Sequence, residues 1–254
     1  MEVHAHTHTS RKKWKHYLWE FLMLFLAVFC GFLAEYQLEH KIERDRANDF
    51  AKTLYAEIKR DTASLHEIRY RTATAFHSMD TLVAILSEPE YEKRSGLLYY
   101  HCGLGMYNFF FTANEATLQQ MKSSGAIRYF KNKELVTAIT EYEYLIRLTY
   151  QLETNLYMNY LETRKAQLKL FDTRHIYSSK AWENSYSGML NFLSQLKDRS
   201  IALLSKNPEL IAEFRNWAQN RSELAKLKVN QYDRYLESAN KLLVALKNEY
   251  TIDQ

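Results

Sequence analysis

The sequence is poor in the residues that end helices. It contains six glycines and two prolines in 254 residues, while its apolar fraction of 46% is ordinary for a globular protein. Glycine and proline mark turns and chain reversals, so their scarcity excludes a fold built from many short elements. No segment shows the apolar and polar alternation of a β-strand. The predicted fold class is therefore all-α, with long helices joined by few turns.

Cysteine is also scarce, and the two cysteines cannot pair within one chain. Cys30 lies in a strongly apolar run near the N-terminus, and Cys102 lies far outside it. An internal disulfide framework is excluded, so the chain must fold through packing even in an oxidising compartment. Cys102 is either a buried free thiol or a cross-link between two chains. The buried thiol is favoured, since unpaired cysteine is among the most buried residue types.

The chain lacks a large excess of either charge. Lys and Arg total 34, and Asp and Glu total 30. Four of the bases (Arg11, Lys12, Lys13, Lys15) and one of the acids (Glu2) fall in the first 16 residues, which leaves 30 bases against 29 acids in the rest. A nearly neutral domain lacks the electrostatic footprint of a nucleic-acid-binding protein, so nucleic acid is excluded as a partner.

Motifs of the common catalytic sites are missing too. The chain has no G-x-S-x-G elbow, no P-loop and no Cys-x-x-Cys pair. HEIRY, which starts at His66, has Tyr70 where a zinc protease needs a second histidine. No Glu-x-x-His pair of a di-iron centre occurs, and Asp172 with His175 is a single isolated pair. GLGMYN at Gly103 lacks the third glycine of a dinucleotide fingerprint and is predicted to be a turn.

These absences predict a non-enzymatic protein that has no cofactor and no catalytic, cofactor-binding or metal-binding residues. A triad scattered over several helices would escape a motif search, so an enzyme remains the weaker alternative. His4, His6 and His8 alternate with other residues near the start of the chain. They could chelate a divalent metal only weakly without further ligands, and a solvated tail is the preferred interpretation.

One long hydrophobic run is what the sequence does have. Residues 21–34 are uninterruptedly apolar, a length shared by signal peptides and membrane spans. With its aromatic flanks the run covers residues 17–36, about 20 residues, enough to cross a hydrocarbon core ~30 Å thick. Cuts at its small residues would place phenylalanine at the −3 position, and phenylalanine also precedes Cys30. Neither signal-peptidase nor lipoprotein processing fits, so the run is predicted to be a retained anchor.

The flanks of the run predict its orientation. Basic residues crowd its N-terminal side, whereas the residues after Tyr36 mix both signs. The positive-inside rule then places residues 1–16 in the cytoplasm as a basic, histidine-containing tail. Residues 17–36 form the transmembrane helix, and residues 37–254 form an extracytoplasmic helical domain. Glu20 lies one turn in from the interface and is interpreted as a residue that reaches the headgroup region, with a proton or partner site as the alternative.

The periodicity of apolar residues predicts how the outer domain is organised. A repeat of about 3.5 residues extends the first helix from the anchor through a charged stalk to about Leu86, and it indicates packing against other helices. Further helices are predicted over 132–171, 180–205 and 207–250, the last with an N-cap asparagine and an N1 proline. Together they predict an antiparallel helical bundle.

Two segments between the long helices have patterns of their own. TANEATLQQMKSSG predicts a short helix, because Thr112 and Glu115 have capping-box spacing and Gly125 lies where a left-handed C-cap residue would. RSGLLYYHCGLGMYNFFF holds three of the six glycines and is predicted to be the least regular part of the chain. Its aromatic residues, Tyr99 to Phe111, are interpreted as core, with a docking surface or a ligand pocket as alternatives.

Three small residues, Ala27, Gly31 and Ala34, fall on one face of the predicted span. Small residues at this spacing let two helices approach closely in lipid, where packing drives association. The three residues are therefore the candidate helix–helix face, although chance also produces such spacings. The predicted partners are the lipid bilayer and either a second copy of the chain or another envelope protein. A small-molecule ligand remains open.

Three parts of the sequence form a recognisable arrangement: the basic tail, WEFLMLFLAVFCGFLAE with the charged stalk that follows it, and TLQQMKSSGAIRYFKNKELVTAITEY. In this arrangement the chain resembles a family of uncharacterised single-pass, helix-rich bacterial envelope proteins. The family has no known function, so the resemblance implies no activity and no catalytic residues. It implies a bacterial origin and the inner membrane, with the N-terminus in the cytoplasm and the outer domain in the periplasm.

The sequence therefore predicts a membrane-anchored interaction or scaffold protein of the bacterial cell envelope. The alternative is a sensory or small-ligand-binding ectodomain. Such receptors usually return to the cytoplasm through a second span, and no second apolar span follows the first one here. The alternative thus requires a partner protein to pass on a signal.

Overall fold

The computed structural model describes residues 14–177 and 185–252. Within these ranges the protein contains helices and no β-strand, which confirms the all-α class predicted from the sequence. The α-helices are α1 Trp14–Leu86, α2 Ser95–Gly105, α3 Ala116–Ser123, α4 Lys133–Leu170, α5 Tyr186–Ser194 and α6 Pro208–Glu249. Short 3-10 turns occupy Tyr91–Arg94, Ala126–Tyr129 and Thr173–His175.

The first part of α1 is exposed and strongly apolar. α1 has 73 residues, and the first of them that is buried is Ala47. An 18-residue window near its N-terminus has a mean hydropathy of 2.0, and none of that window is buried against the rest of the chain. By length and composition this segment is a candidate membrane span. At its start, Nε2 of His16 lies 3.0 Å from a carboxylate oxygen of Glu20.

Helix α6 packs against both α1 and α4. On α1, Arg69 forms a two-bond ion pair with Asp233 of α6, and Asp80, further along, accepts a hydrogen bond from Ser222. Later residues of α1 thus meet earlier residues of α6. Helix α4 meets α6 in the same reversed order, in the pairs Asn132–Glu249, Thr149–Gln231 and Thr163–Trp217.

The two long helices that follow α1 in the chain, α4 and α6, begin where their sequences predict. Oδ1 of Asn132 accepts hydrogen bonds from the first N–H groups of α4, and Oδ1 of Asn207 accepts one from the N–H of Glu209 at 2.8 Å. Pro208 is the first residue of α6. These side-chain oxygens satisfy donors that the helices themselves leave unpaired, so local sequence is sufficient to define both starts.

The predicted start of the short helix α3 is wrong. Thr112 does not cap it, because α3 begins at Ala116 and its N-cap residue, Glu115, makes no side-chain cap. A carboxylate oxygen of Glu57, on α1, instead accepts the N–H of Thr117 at 3.2 Å. The predicted end is confirmed, since Gly125 is left-handed with φ 68°.

The glycine-rich segment is also more regular than predicted, because Ser95–Gly105 forms α2. The GLGMYN motif straddles the end of this helix: residues 103–105 are helical, whereas the predicted turn begins at Met106. A Cβ atom at Gly96 would meet three backbone carbonyl oxygens of residues 196–199, and one at Gly105 would meet the side chain of Met79 at 2.7 Å. The glycines therefore mark close packing of α2 against its neighbours rather than chain reversal.

The helix predicted over 180–205 is much shorter in the structure. Residues 178–184 lie outside the described residues, and α5 occupies only Tyr186–Ser194. The backbone groups of residues 201–204 form hydrogen bonds with α2 and with the end of α4, and these bonds replace those of a continuing helix. These bonds join the N–H of Ile201 to Ser95 Oγ, the N–H of Leu204 to the carbonyl of Leu170, and the Tyr99 hydroxyl to the carbonyl of Ala202.

Two hydrophobic cores are stacked along the helices. The first packs residues 47–65 of α1 against α3, the start of α4 and the C-terminal part of α6. The second packs the end of α1 against α2, the end of α4, α5 and the start of α6. The middle parts of α1, α4 and α6 belong to neither core, and they build the site described next.

Candidate functional site

Between the two hydrophobic cores, α1, α4 and α6 bury a group of polar side chains that we name the polar layer. Burying such groups costs free energy unless they are hydrogen-bonded, so the partners of each member indicate what the layer does. Every member is less than a tenth exposed. The members are Thr72, Ser78, Thr149, Glu153, Asn159, Thr163, Arg221, Ser222, Lys228 and Gln231.

Lys228 and Glu153 form a buried ion pair in the polar layer. Nζ lies 3.3 Å from Oε1, and the two side chains are 5% and 8% exposed. Lys228 also donates to the carbonyl of Phe109, while Glu153 accepts the N–H of Phe111 at 3.1 Å and the hydroxyl of Tyr232. Burial lowers the pKa of Lys228, and Glu153 opposes that shift. The pair ties α4 and α6 to the segment between α2 and α3.

Arg221 is the other buried cation of the layer. Its Nε donates to the carbonyl of Gly105 at 2.9 Å, and one terminal nitrogen donates to the carbonyl of Tyr107 at 3.0 Å. Its guanidinium carbon lies 5.1 Å from the ring centroid of Tyr160. Burial lowers the pKa of Arg221 to about 10, so the side chain stays charged at neutral pH. In residues 14–177 and 185–252, no carboxylate forms an ion pair with it.

A cavity of about 30 Å³ lies between the middle turns of α1, α4 and α6, and Arg221, Lys228 and Asn159 line it. Asn159 is 9% exposed, and its Nδ2 has no hydrogen-bond partner among the described residues. Since Glu153 offsets the charge of Lys228, the cavity wall keeps the positive charge of Arg221. The cavity thus combines net positive charge with an unused amide donor.

A second buried polar network lies in the first hydrophobic core. The hydroxyl of Tyr235 donates to Tyr142 at 2.8 Å, and Tyr142 donates to a carboxylate oxygen of Asp61 at 3.3 Å. The same oxygen of Asp61 accepts the N–H of Asn114 at 2.9 Å. Burial raises the pKa of Asp61 and those of both tyrosines. Each group here has a partner, so the network joins α1, α4 and α6 structurally.

The candidate helix–helix face of the predicted span is exposed. Ala27, Gly31 and Ala34 all lie on the exposed part of α1, and no other described element packs there. A Cβ atom at Gly31 would meet no atom within 4 Å. The structure thus leaves room for a second helix at this face, and association through it stays a prediction.

Cys102 is a buried free thiol, as predicted. Nε2 of Gln167 lies 3.0 Å from its sulfur, and burial raises the pKa of Cys102 to about 12. Fully buried, the thiol cannot form a cross-link between folded chains.

The interpretation of the aromatic segment as core is confirmed for Tyr99, Phe109 and Phe111, which are buried, whereas Phe110 is 50% exposed.

The histidines singled out from the sequence do not form a site among the described residues. His66 and Glu67 are exposed, as predicted, and Glu67 pairs with Arg71 at 2.7 Å on the same helix face. His4, His6 and His8 lie outside the described residues. In the part of the chain that the structure describes, no three His, Cys, Asp or Glu side chains are grouped as metal ligands.

The polar layer is the site that motif searching missed, although the sequence of α6 contains a signal for it. Arg221 and Lys228 occupy a series of positions spaced by seven residues, which continues with buried aromatic and aliphatic side chains. That series is Phe214, Arg221, Lys228, Tyr235 and Leu242. Two cations on the apolar stripe of a helix indicate a buried polar site, because stripe positions face the core.

Comparisons with protein-family models, with curated proteins and with solved structures found no match for the chain. The resemblance to single-pass envelope proteins therefore stays a prediction. The function has to be inferred from the exposed apolar helix and from the polar layer themselves.

Proposed function

We propose that the protein is a membrane-anchored, non-enzymatic interaction protein of the bacterial cell envelope. The observation that carries this proposal is the exposed apolar part of α1, whose most hydrophobic window buries no residue against the rest of the chain. Water is a poor environment for so large an apolar surface, and a bilayer would cover all of it. The lipid bilayer is thus the first proposed partner.

In the proposed topology, residues 1–16 lie in the cytoplasm, residues 17–36 cross the inner membrane, and residues 37–254 lie in the periplasm. The basic residues before the span support this orientation through the positive-inside rule. The outer domain is proposed to be an antiparallel helical bundle, in which α6 runs opposite to α1 and α4. The reversed order of the pairs that join α6 to both helices supports that arrangement.

The interaction partner is proposed to be a second copy of the chain or another envelope protein. Ala27, Gly31 and Ala34 supply a face of small residues on the proposed span against which a second helix could pack closely, and the single chain leaves that face exposed. The neutral charge of the remaining chain supports a protein or lipid partner and argues against nucleic acid.

Two measurements on cells test the anchor and its orientation. Alkaline extraction should leave the full-length protein in the membrane fraction, and release into the soluble fraction would refute the anchor. For orientation, both test variants carry Cys30→Ala, because Cys30 is a free and exposed thiol, whereas the native Cys102 is buried. Ser64→Cys then places an exposed thiol on α1 beyond the proposed span. A membrane-impermeant thiol reagent should label Ser64→Cys in intact spheroplasts. Ser10→Cys should react only after permeabilisation, and the opposite pattern would reverse the topology.

Native mass spectrometry of the protein released gently from its own membranes tests the interaction. We expect an intact N-terminus and a complex with further copies or with another protein.

A second candidate function, a small-ligand-binding ectodomain, is favoured by one specific observation, the cavity with the unpartnered amide of Asn159. A monomer that carries a reproducible small-molecule adduct would support this candidate over the scaffold.

A further inference from the structure

We propose that the cavity of the polar layer is a binding site for a small monovalent carboxylate, such as formate or acetate. The proposal concerns the interior of the outer domain and goes beyond the anchoring function. It rests on three features of the cavity wall, which are its charge, its unused hydrogen-bond donors and its size.

Among the residues that the structure describes, no acidic group balances the charge of Arg221 in the cavity wall. Lys228 has Glu153 at 3.3 Å, whereas Arg221 is held by two backbone carbonyls and has no carboxylate partner in the described ranges. A buried cation without a counter-charge is costly, and protein interiors generally pair such groups. An anion in the cavity would supply the missing charge.

The donors of the wall match a carboxylate. Arg221 uses two of its five N–H groups on the carbonyls of Gly105 and Tyr107, which leaves donors of the planar guanidinium for a ligand. Asn159 adds an amide nitrogen without a partner, although its side chain is nine-tenths buried. Native proteins rarely leave such a group unsatisfied, so an orphaned amide beside a buried cation points to an acceptor that belongs to a ligand.

The size of the cavity limits the ligand. Its volume is about 30 Å³, while one ordered water needs roughly 10–15 Å³ on this measure. There is thus room for about two or three water-sized groups, which is the size of a carboxylate group with at most one further carbon. Larger acids would have to displace Phe76 or Leu224, both of which line the cavity.

The test measures thermal unfolding of the full-length, detergent-solubilised protein in sodium formate, sodium acetate, sodium butyrate and sodium chloride at equal ionic strength. We expect formate and acetate to raise the Tm by on the order of 5 °C at concentrations about 100-fold above the Kd. Butyrate and chloride should leave it nearly unchanged. Equal shifts in all four salts, or no shift in any, would overturn the proposal and indicate a cavity that holds only water.

Asn159→Asp is the decisive variant. A carboxylate built into the wall would take the place of the ligand, so we expect a higher Tm than that of the wild type in chloride and no further rise with formate. Asn220→Asp is the matched control. It makes the same change in net charge, but Asn220 is exposed on α6, next to Arg221 in the sequence. The control should keep the formate response. A lower Tm for Asn159→Asp would mean that the layer has no excess positive charge and would contradict the proposal.

Asn159→Leu supplies a second, independent measurement. It removes the amide donor but adds no charge, and the loss of one hydrogen bond to an anion should weaken formate binding about tenfold by calorimetric titration. Unchanged affinity would exclude Asn159 from the site. These results do not depend on the anchor, since a protein that is released by alkaline extraction could still bind formate, and an anchored one could fail to do so.

Discussion

The carboxylate of Glu57 accepts the backbone N–H of Thr117 at 3.2 Å, so a residue of α1 caps the first turn of α3. Glu57 is 4% exposed, and the two residues are 60 positions apart in the sequence. At this contact the carboxylate of Glu57 and the N–H of Thr117 are both buried, so water cannot bond to either of them. The N–H group in the first turn of α3 thus finds its acceptor on α1, and this bond fixes the position of α3 against α1.

Glu57→Ala should destabilise the protein. The variant leaves the N–H of Thr117 buried without an acceptor, which costs about 1–3 kcal/mol of unfolding free energy. Urea unfolding followed by circular dichroism measures the loss. Glu67→Ala, on the exposed face of the same helix, is the matched control and should change stability by less than about 0.5 kcal/mol. Equal effects of the two variants would remove Glu57 from its capping role.

The raised pKa of Asp61 should make the stability of the protein depend on pH. Burial is the largest influence on its pKa and raises it above the ordinary value of 3.8. The folded state therefore binds the proton more tightly than the unfolded state, so this group contributes stability at low pH. That contribution is lost as the pH rises from 3.8 through the folded pKa.

Asp61→Asn should remove this dependence. The amide oxygen can still accept from the N–H of Asn114 and from the hydroxyl of Tyr142, while no charge has to be buried. We expect the unfolding free energy of the variant, relative to the wild type, to increase with pH over the titration range. Chemical unfolding at a series of pH values checks this. Parallel curves for the two proteins would show that Asp61 does not titrate with a raised pKa.

The buried pair Lys228–Glu153 should show strong coupling. Lys228→Met leaves the carboxylate of Glu153 buried without its cation, at a cost of about 3–5 kcal/mol. The double variant Lys228→Met with Glu153→Gln keeps an acceptor for the N–H of Phe111 and leaves no charge at either of these two positions. It should be more stable than Lys228→Met alone. A double-mutant cycle by urea unfolding measures the coupling, and additive losses would show that the two charges act independently.

If two chains associate through the predicted span, Gly31→Leu should weaken that association. A side chain at Gly31 meets no atom of its own chain within 4 Å, so the variant has no direct effect on the monomer. In a dimer packed through Ala27, Gly31 and Ala34 it would hold the helices apart and raise the dissociation constant on the order of tenfold. Leu33→Phe adds bulk on the other side of the helix and is the control. An unchanged distribution of oligomers in detergent would contradict the predicted face.

Local sequence was sufficient to predict the elements whose hydrogen bonds and backbone conformation are completed by their own neighbouring residues. Asn132 and Asn207 cap their own helices, Gly125 supplies its own left-handed conformation, and the long stripes of α1, α4 and α6 follow from apolar spacing. Sequence reasoning failed where a distant element completes the local structure. Glu57 replaces the predicted cap of α3, and the bonds of Ile201 and other residues after α5 replace the predicted helix.

The α4 side of the polar layer could not be predicted for the same reason. Nothing local distinguishes Glu153 or Asn159 from the exposed polar residues of α4, because their burial depends on α6 lying across them. The seven-residue series through Arg221 and Lys228 was visible, yet its meaning required the cavity and the partners on other helices.

Helix α1 contains no proline and no glycine between Gly31 and its end at Leu86. The rod therefore has no hinge between the apolar segment and the polar layer. From Tyr36 to Leu86 it measures about 75 Å at 1.5 Å per residue. A tilt of about 10° at its base would thus move the far end sideways by about 13 Å, as a lever does. Small changes in the inclination of the apolar segment are amplified at the second hydrophobic core.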